Sequence, residues 1–73
     1  MVEKAEEYIK EGGLSEVRVR CQGLTARIEI PQDELKYFFN KYNFSELVQY
    51  FSYLGFNCTS LDLEGLISGK LNR

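Results

Sequence analysis

Seventy-three residues can build one core and no second, and a chain this short buries only about 60% of its unfolded surface, so each large side chain must find cover. The net charge of −2, with acidic and basic residues interspersed, excludes chain-wide attraction to nucleic acid or an anionic membrane, and the lack of any histidine removes Ser-His and Cys-His nucleophiles and the commonest metal ligand. Cys21 and Cys58 match no paired metal spacing and are too few to staple a small secreted domain, which points to a reducing, cytoplasmic setting. No apolar run reaches membrane-spanning length.

Val2, Ala5, Tyr8 and Ile9 recur at helical spacing against Glu3, Glu6, Glu7 and Glu11, predicting a first helix that Gly12 and Gly13 end. Two strands follow. In the first, Val17, Val19 and Cys21 share the core side and Glu16, Arg18, Arg20 and Gln22 the wet side, which makes Cys21 a small buried thiol. After a turn at Gly23, Leu24, Ala26, Ile28 and Ile30 alternate against Thr25, Arg27 and Glu29, predicting an antiparallel hairpin with one apolar and one charged face.

Pro31 ends that strand, and a short helix from about Gln32 to Asn40 is expected to bury Leu35, Phe38 and Phe39. Asn43 and Glu46 read as a capping box, with Tyr42 placed to staple onto Leu47. The helix that follows sets Phe44, Leu47, Val48, Phe51 and Leu54 on one face and stops at Gly55, with Phe56 folding back on Phe51. Asn57 to Glu64 reads as a third strand with Thr59, Leu61 and Leu63 on one side. Its neighbour, the first or the second strand, is left open. The expectation is an α+β fold of order αββααβ, a three-stranded sheet with helices on one face, as one domain over 1–64 and a flexible tail over 65–73.

The charged hairpin face carries Arg18, Arg20 and Arg27, close enough across adjacent strands to share one phosphate or carboxylate through planar guanidinium forks. Cross-strand pairing with Glu16 and Glu29 on a solvated face is the competing reading. Glu3, Glu6, Glu7 and Glu11 line a helix face whose ordinary role is solvation, although one could orient an arginine. Asp62 and Glu64 supply fewer oxygens than a dedicated cation site requires. Neither a metal site nor a Gly-rich phosphate loop is expected, and the tyrosines Tyr37, Tyr42, Tyr50 and Tyr53 fit core and partner contact better than base stacking.

Taken in order, Ala5-Glu6, Arg18-Val19-Arg20, Gly23, Ala26-Arg27-Ile28-Glu29-Ile30-Pro31, Leu54-Gly55-Phe56, Leu61-Asp62-Leu63-Glu64-Gly65, Ser68-Gly69 and Leu71-Asn72 span nearly the whole chain. This series resembles the C-terminal region of the ATP-dependent sacrificial sulfur transferases of the LarE family, within the PP-loop ATP pyrophosphatase superfamily. The resemblance implies a preceding PP-loop domain with a Ser-Gly-Gly-x-Asp-Ser loop that uses ATP, with Mg, to adenylylate a pyridinium carboxylate mononucleotide on the way to a nickel-pincer cofactor. Sulfur then comes from a cysteine upstream of the first helix or, in some relatives, through a three-cysteine iron–sulfur cluster, so neither Cys21 nor Cys58 takes that role.

What the resemblance carries onto these residues is Arg18 and Arg20, with Glu6, as lining of a phosphate and sulfur-transfer pocket shared with that domain; Arg27 joins them from the alternation. It further implies a homo-oligomeric parent. The chain alone is expected to hold no catalytic residue, no cofactor and no ATP-consuming activity. The alternative from a different class is a free-standing α+β module that binds an anion or a partner protein.

Overall fold

The alternation between Val17 and Ile30 closes into a hairpin in the computed structural model, which describes residues 1–66. Strands β1 (Arg18–Gln22) and β2 (Thr25–Glu29) pair antiparallel, with Val19 opposite Ile28 and Arg20 opposite Arg27. Gly23 (φ 60°) and Leu24 form the two-residue connection, glycine taking the first central place as a type II′ hairpin turn favours. A third strand, β3 (Cys58–Leu61), lies parallel to β2 with Thr59 beside Ala26, so the order β1-β2-β3 places β2 at the centre. The parallel step needs a crossover, supplied by a 3-10 turn (Gln32–Glu34), α2 (Leu35–Lys41) and α3 (Phe44–Leu54). With α1 (Val2–Lys10) ahead of the hairpin, the described residues form an α+β fold of order αββααβ.

Period 2 along the strands and period 3.6 along the helices converge on one core. Ala5 and Ile9 of α1, Val19, Ala26, Ile28 and Ile30 of the sheet region, and Phe38, Leu47, Phe51 and Phe56 are buried together. Phe51 is fully enclosed, with ring centroids 5.7 Å from Phe56 and 6.5 Å from both Tyr8 and Tyr50. The Asn43 cap and the left-handed ending of α3 are present, whereas the Glu46 side chain returns no bond to Asn43 N–H among the hydrogen bonds of the described residues. The Asn43 side chain accepts from the Glu46 N–H at 3.1 Å, and the far end closes with Gly55 in the left-handed region (φ 114°), where Phe56 N–H reaches Phe51 O and Gly55 N–H reaches Ser52 O. Asn43→Ala should lower stability by about 1 kcal/mol, read as a shift of the urea midpoint with unchanged slope.

Several expectations are corrected. Cys21 is exposed, its Sγ donating to Gly23 O at 3.1 Å: it shares a face with Ala26, but the edge strand there extends beyond helix cover. Leu24 is exposed because it belongs to the turn and not to the strand. Phe39, Phe44 and Val48 are about half exposed, since their helical stripe is wider than the sheet beneath it. The third strand ends at Leu61 instead of Glu64, because Asp62 Oδ1 accepts from Glu64 N–H at 3.0 Å and turns the chain, leaving Leu63 exposed. Past the expected domain boundary, Leu66 N–H bonds Ile30 O at 2.7 Å. Gly65 (φ 82°) lies so close to Ile30 O and Gln32 N that a β-carbon would collide with main chain. The rest of the expected tail, 67–73, lies outside the described residues.

Two tyrosine hydroxyls tie the crossover to the end of α1: Tyr37 donates to Gly12 O and Tyr42 to Ile9 O. Burial, and then the neighbouring Tyr37, raise the Tyr42 pKa above its ordinary value of 10.0, with a Gly12 main-chain bond opposing. A phenol with a raised folded-state pKa contributes stability that is fully present below the unfolded value and lost as pH rises through the folded one. Stability should therefore fall above about pH 10. Tyr42→Phe should cost about 1 kcal/mol at neutral pH and flatten that alkaline limb, as followed by denaturant titration across pH.

Candidate anion-binding site

Arg20 and Arg27 stand directly opposite one another across the hairpin, on the sheet face away from the core. Like charges in that register repel. The arrangement holds because Glu29, two residues from Arg27 on the same face and diagonal to Arg20, inserts a carboxylate between them. Its Oε1 lies 3.2 Å from Arg20 Nε and its Oε2 lies 3.3 Å from Arg27 Nε, one oxygen to each guanidinium. The Glu29 side chain is 1% exposed, against 36% for Arg20 and 25% for Arg27. A carboxylate on the expected wet face is thus buried, with an arginine Nε beside each of its oxygens and both arginines partly exposed to water. The Arg20 contact is a hydrogen bond, whereas the buried Arg27 Nε meets its oxygen off-line and donates no well-formed bond.

Because both contacts run through Nε, the terminal guanidinium nitrogens of Arg20 and Arg27 donate no hydrogen bond to another described residue. They remain open to the solvent side, in a fork geometry that suits a phosphate or carboxylate oxygen pair. Arg18 faces Glu29 in the register and is exposed, extending the positive face along β1. Three arginines on one sheet face, two of them against the Glu29 carboxylate, give local positive charge on a chain that is negative overall. This arrangement can bind and orient an oxyanion, and it contains no nucleophile and base in contact.

The four residues singled out by the sequence do not all meet. Arg18, Arg20 and Arg27 share the face. Glu6, from α1, instead accepts the Val19 main-chain N–H through Oε2 at 2.9 Å on the outer edge of β1, so it bonds backbone and no guanidinium. The residue underrated by sequence reasoning is Glu29, taken only as one member of a solvated ion pair; its position two residues from Arg27 was the available signal. Glu16, the other partner considered, forms no ion pair among the described residues. No group of three or more cysteine or acidic side chains able to hold a metal ion occurs among the described residues. No described helix is long and apolar enough to cross a membrane.

No family model matches the chain. An uncharacterized protein of Synechocystis sp. is similar to it, 46% identical over 72 residues that make up 99% of this chain and 27% of the relative. The chain therefore spans about a quarter of the length of the curated relative it matches.

Proposed function

We propose that this chain is the C-terminal, anion-binding domain of a cytoplasmic PP-loop ATP-dependent sulfur transferase that acts on a pyridinium carboxylate mononucleotide. The observation that carries the reading is the Arg20–Glu29–Arg27 clamp: two opposed guanidiniums, held apart by a buried carboxylate, with their terminal nitrogens turned to solvent. A phosphate group of the mononucleotide would meet that pair, with Arg18 beside it. ATP and Mg would belong to the preceding PP-loop domain, as would the sulfur donor. Glu6 serves the pocket indirectly, by holding β1 through the Val19 N–H. The longer Synechocystis relative supports a larger parent, and the resemblance supports a homo-oligomeric one.

The test has two arms. Phosphate or nicotinic acid mononucleotide titrated into the isotope-labelled chain should shift the backbone and guanidinium resonances of Arg18, Arg20 and Arg27 together, and Arg20→Met should abolish the response. The isolated chain should leave ATP intact. The longer protein bearing this sequence should adenylylate the mononucleotide, and failure of that reaction in the presence of ATP and Mg would defeat the sulfur-transferase reading. An apolar groove beside β3, lined by Phe38, Phe39, Phe44, Val48, Leu61 and Leu63, favours a second reading, a module whose main business is protein contact. An in-frame Ser-Gly-Gly-x-Asp-Ser coding stretch upstream separates the two.

A further inference from the structure

The opposed arginines fill one row of an open sheet face, and the register fixes what stands in the next. Gln22 faces Thr25 across the hairpin and Thr25 lies beside Cys58 of β3, just as Arg20 faces Arg27 and Arg27 lies beside Ser60. Side chains two residues apart along a strand point to the same side. Gln22, Thr25 and Cys58 therefore share the face of Arg20, Arg27 and Ser60, about 6–7 Å further along the strands. The two rows flanking the arginine pair differ in charge. On one side stand Arg18 and Glu29, whereas the row of Gln22, Thr25 and Cys58 contains no acidic or basic residue. Ser60 directs its hydroxyl to Ala26 O at 3.2 Å, but neither the Gln22 amide nor the Thr25 hydroxyl bonds another described residue.

We infer that Gln22 and Thr25 are the specificity-determining half of the anion site, bonding the hydroxyls of a sugar whose phosphate ester rests on Arg20 and Arg27. The inference rests on the anion-binding reading and adds to it the class of carrier: a phosphate monoester of a hydroxylated, uncharged body. Charge goes to the guanidiniums, and a second anionic group would find Arg18 on the other side. A neutral polar body finds its match in the uncharged row, because an amide and a hydroxyl both donate and accept, as sugar hydroxyls do. A pentose 5-phosphate is long enough to touch both rows at once. The preference is modest in size, since Gln22 is exposed and Thr25 only half-buried, so water competes for each bond.

Calorimetric titration of the 73-residue chain is expected to show tighter binding of ribose 5-phosphate than of inorganic phosphate or methyl phosphate. Thr25→Val keeps a β-branched side chain and Gln22→Met keeps the length, so both variants should melt as the parent chain does. Each should weaken ribose 5-phosphate binding by about fivefold and leave inorganic phosphate binding unchanged. The two exposed thiols give an independent readout. Cys58 stands at the end of the uncharged row, whereas Cys21 shares the opposite face with Ala26. Ribose 5-phosphate should slow alkylation of Cys58 by iodoacetamide and leave Cys21 unaffected, while inorganic phosphate at matched occupancy should slow neither. Equal affinity for the three probes, or variants that weaken phosphate and sugar phosphate alike, overturns the inference and leaves the anion site standing. Absence of binding by any of the probes overturns the anion-binding reading and the inference together.

Discussion

Phe51→Ala is expected to bring the chain to the edge of unfolding. The ring of this α3 residue is fully buried, met edge-on by Tyr8 and at a tilt by Tyr50 and Phe56, and the Schellman ending of α3 draws on the Phe51–Phe56 contact as well as on its hydrogen bonds. Truncating an enclosed phenylalanine costs about 3–5 kcal/mol, part in lost transfer energy and part in the cavity left behind. A domain of this size has in total about 4–11 kcal/mol, at 0.05–0.15 kcal/mol per residue. Urea denaturation should therefore show a midpoint near zero denaturant, or no cooperative transition. Val48→Ala, on the same helix but half exposed, should move the midpoint little. Equal effects from the two substitutions would mean that the core does not lie where the sheet and helices place it.

The second large effect concerns the arginines, which the same face treats unequally. Arg27→Met should destabilise by about 2–4 kcal/mol, because it removes a guanidinium from beside a carboxylate that is almost wholly withdrawn from water. Arg18→Met should change stability by less than about 0.5 kcal/mol, since that side chain is exposed and forms no ion pair among the described residues. Both should weaken phosphate binding. The discriminating measurement is thus a pair of denaturation curves: a shared loss of affinity accompanied by a loss of stability in one variant only. If Arg18→Met proves as destabilising as Arg27→Met, the carboxylate is held otherwise than by the Arg20–Glu29–Arg27 arrangement.

The hairpin and its two faces were legible because a pleated strand alternates strictly, and Val19, Ile28 and Ile30 could not all be buried in any other register. The ends of α3 were legible for a local reason, namely that Asn43 and Gly55 act on main-chain groups a few residues away. Cys21, Phe39 and Leu63 went the other way, for a shared cause. Alternation and helical spacing assign a side chain to a face, but only a neighbouring element covers it, and all three stand where cover runs out. At the candidate site the three arginines were visible as a pattern, whereas the burial of Glu29 beside two arginines from different strands was not. Glu6 was visible as a charge on a helix and not as an acceptor, since its partner, the Val19 N–H, is 13 residues away.

From its sequence alone this protein is determined to be a short α+β chain whose hairpin turns arginines outward over an apolar underside, because periodicity and capping act within a few residues of each position. Tertiary structure alone decided that β3 runs parallel beside β2, that the tyrosines Tyr37 and Tyr42 clasp the end of α1, and that Glu29 is buried between two positive charges. Each of these joins segments separated by a turn or a crossover, where the partner is set by how the whole chain packs and no local residue pattern can name it.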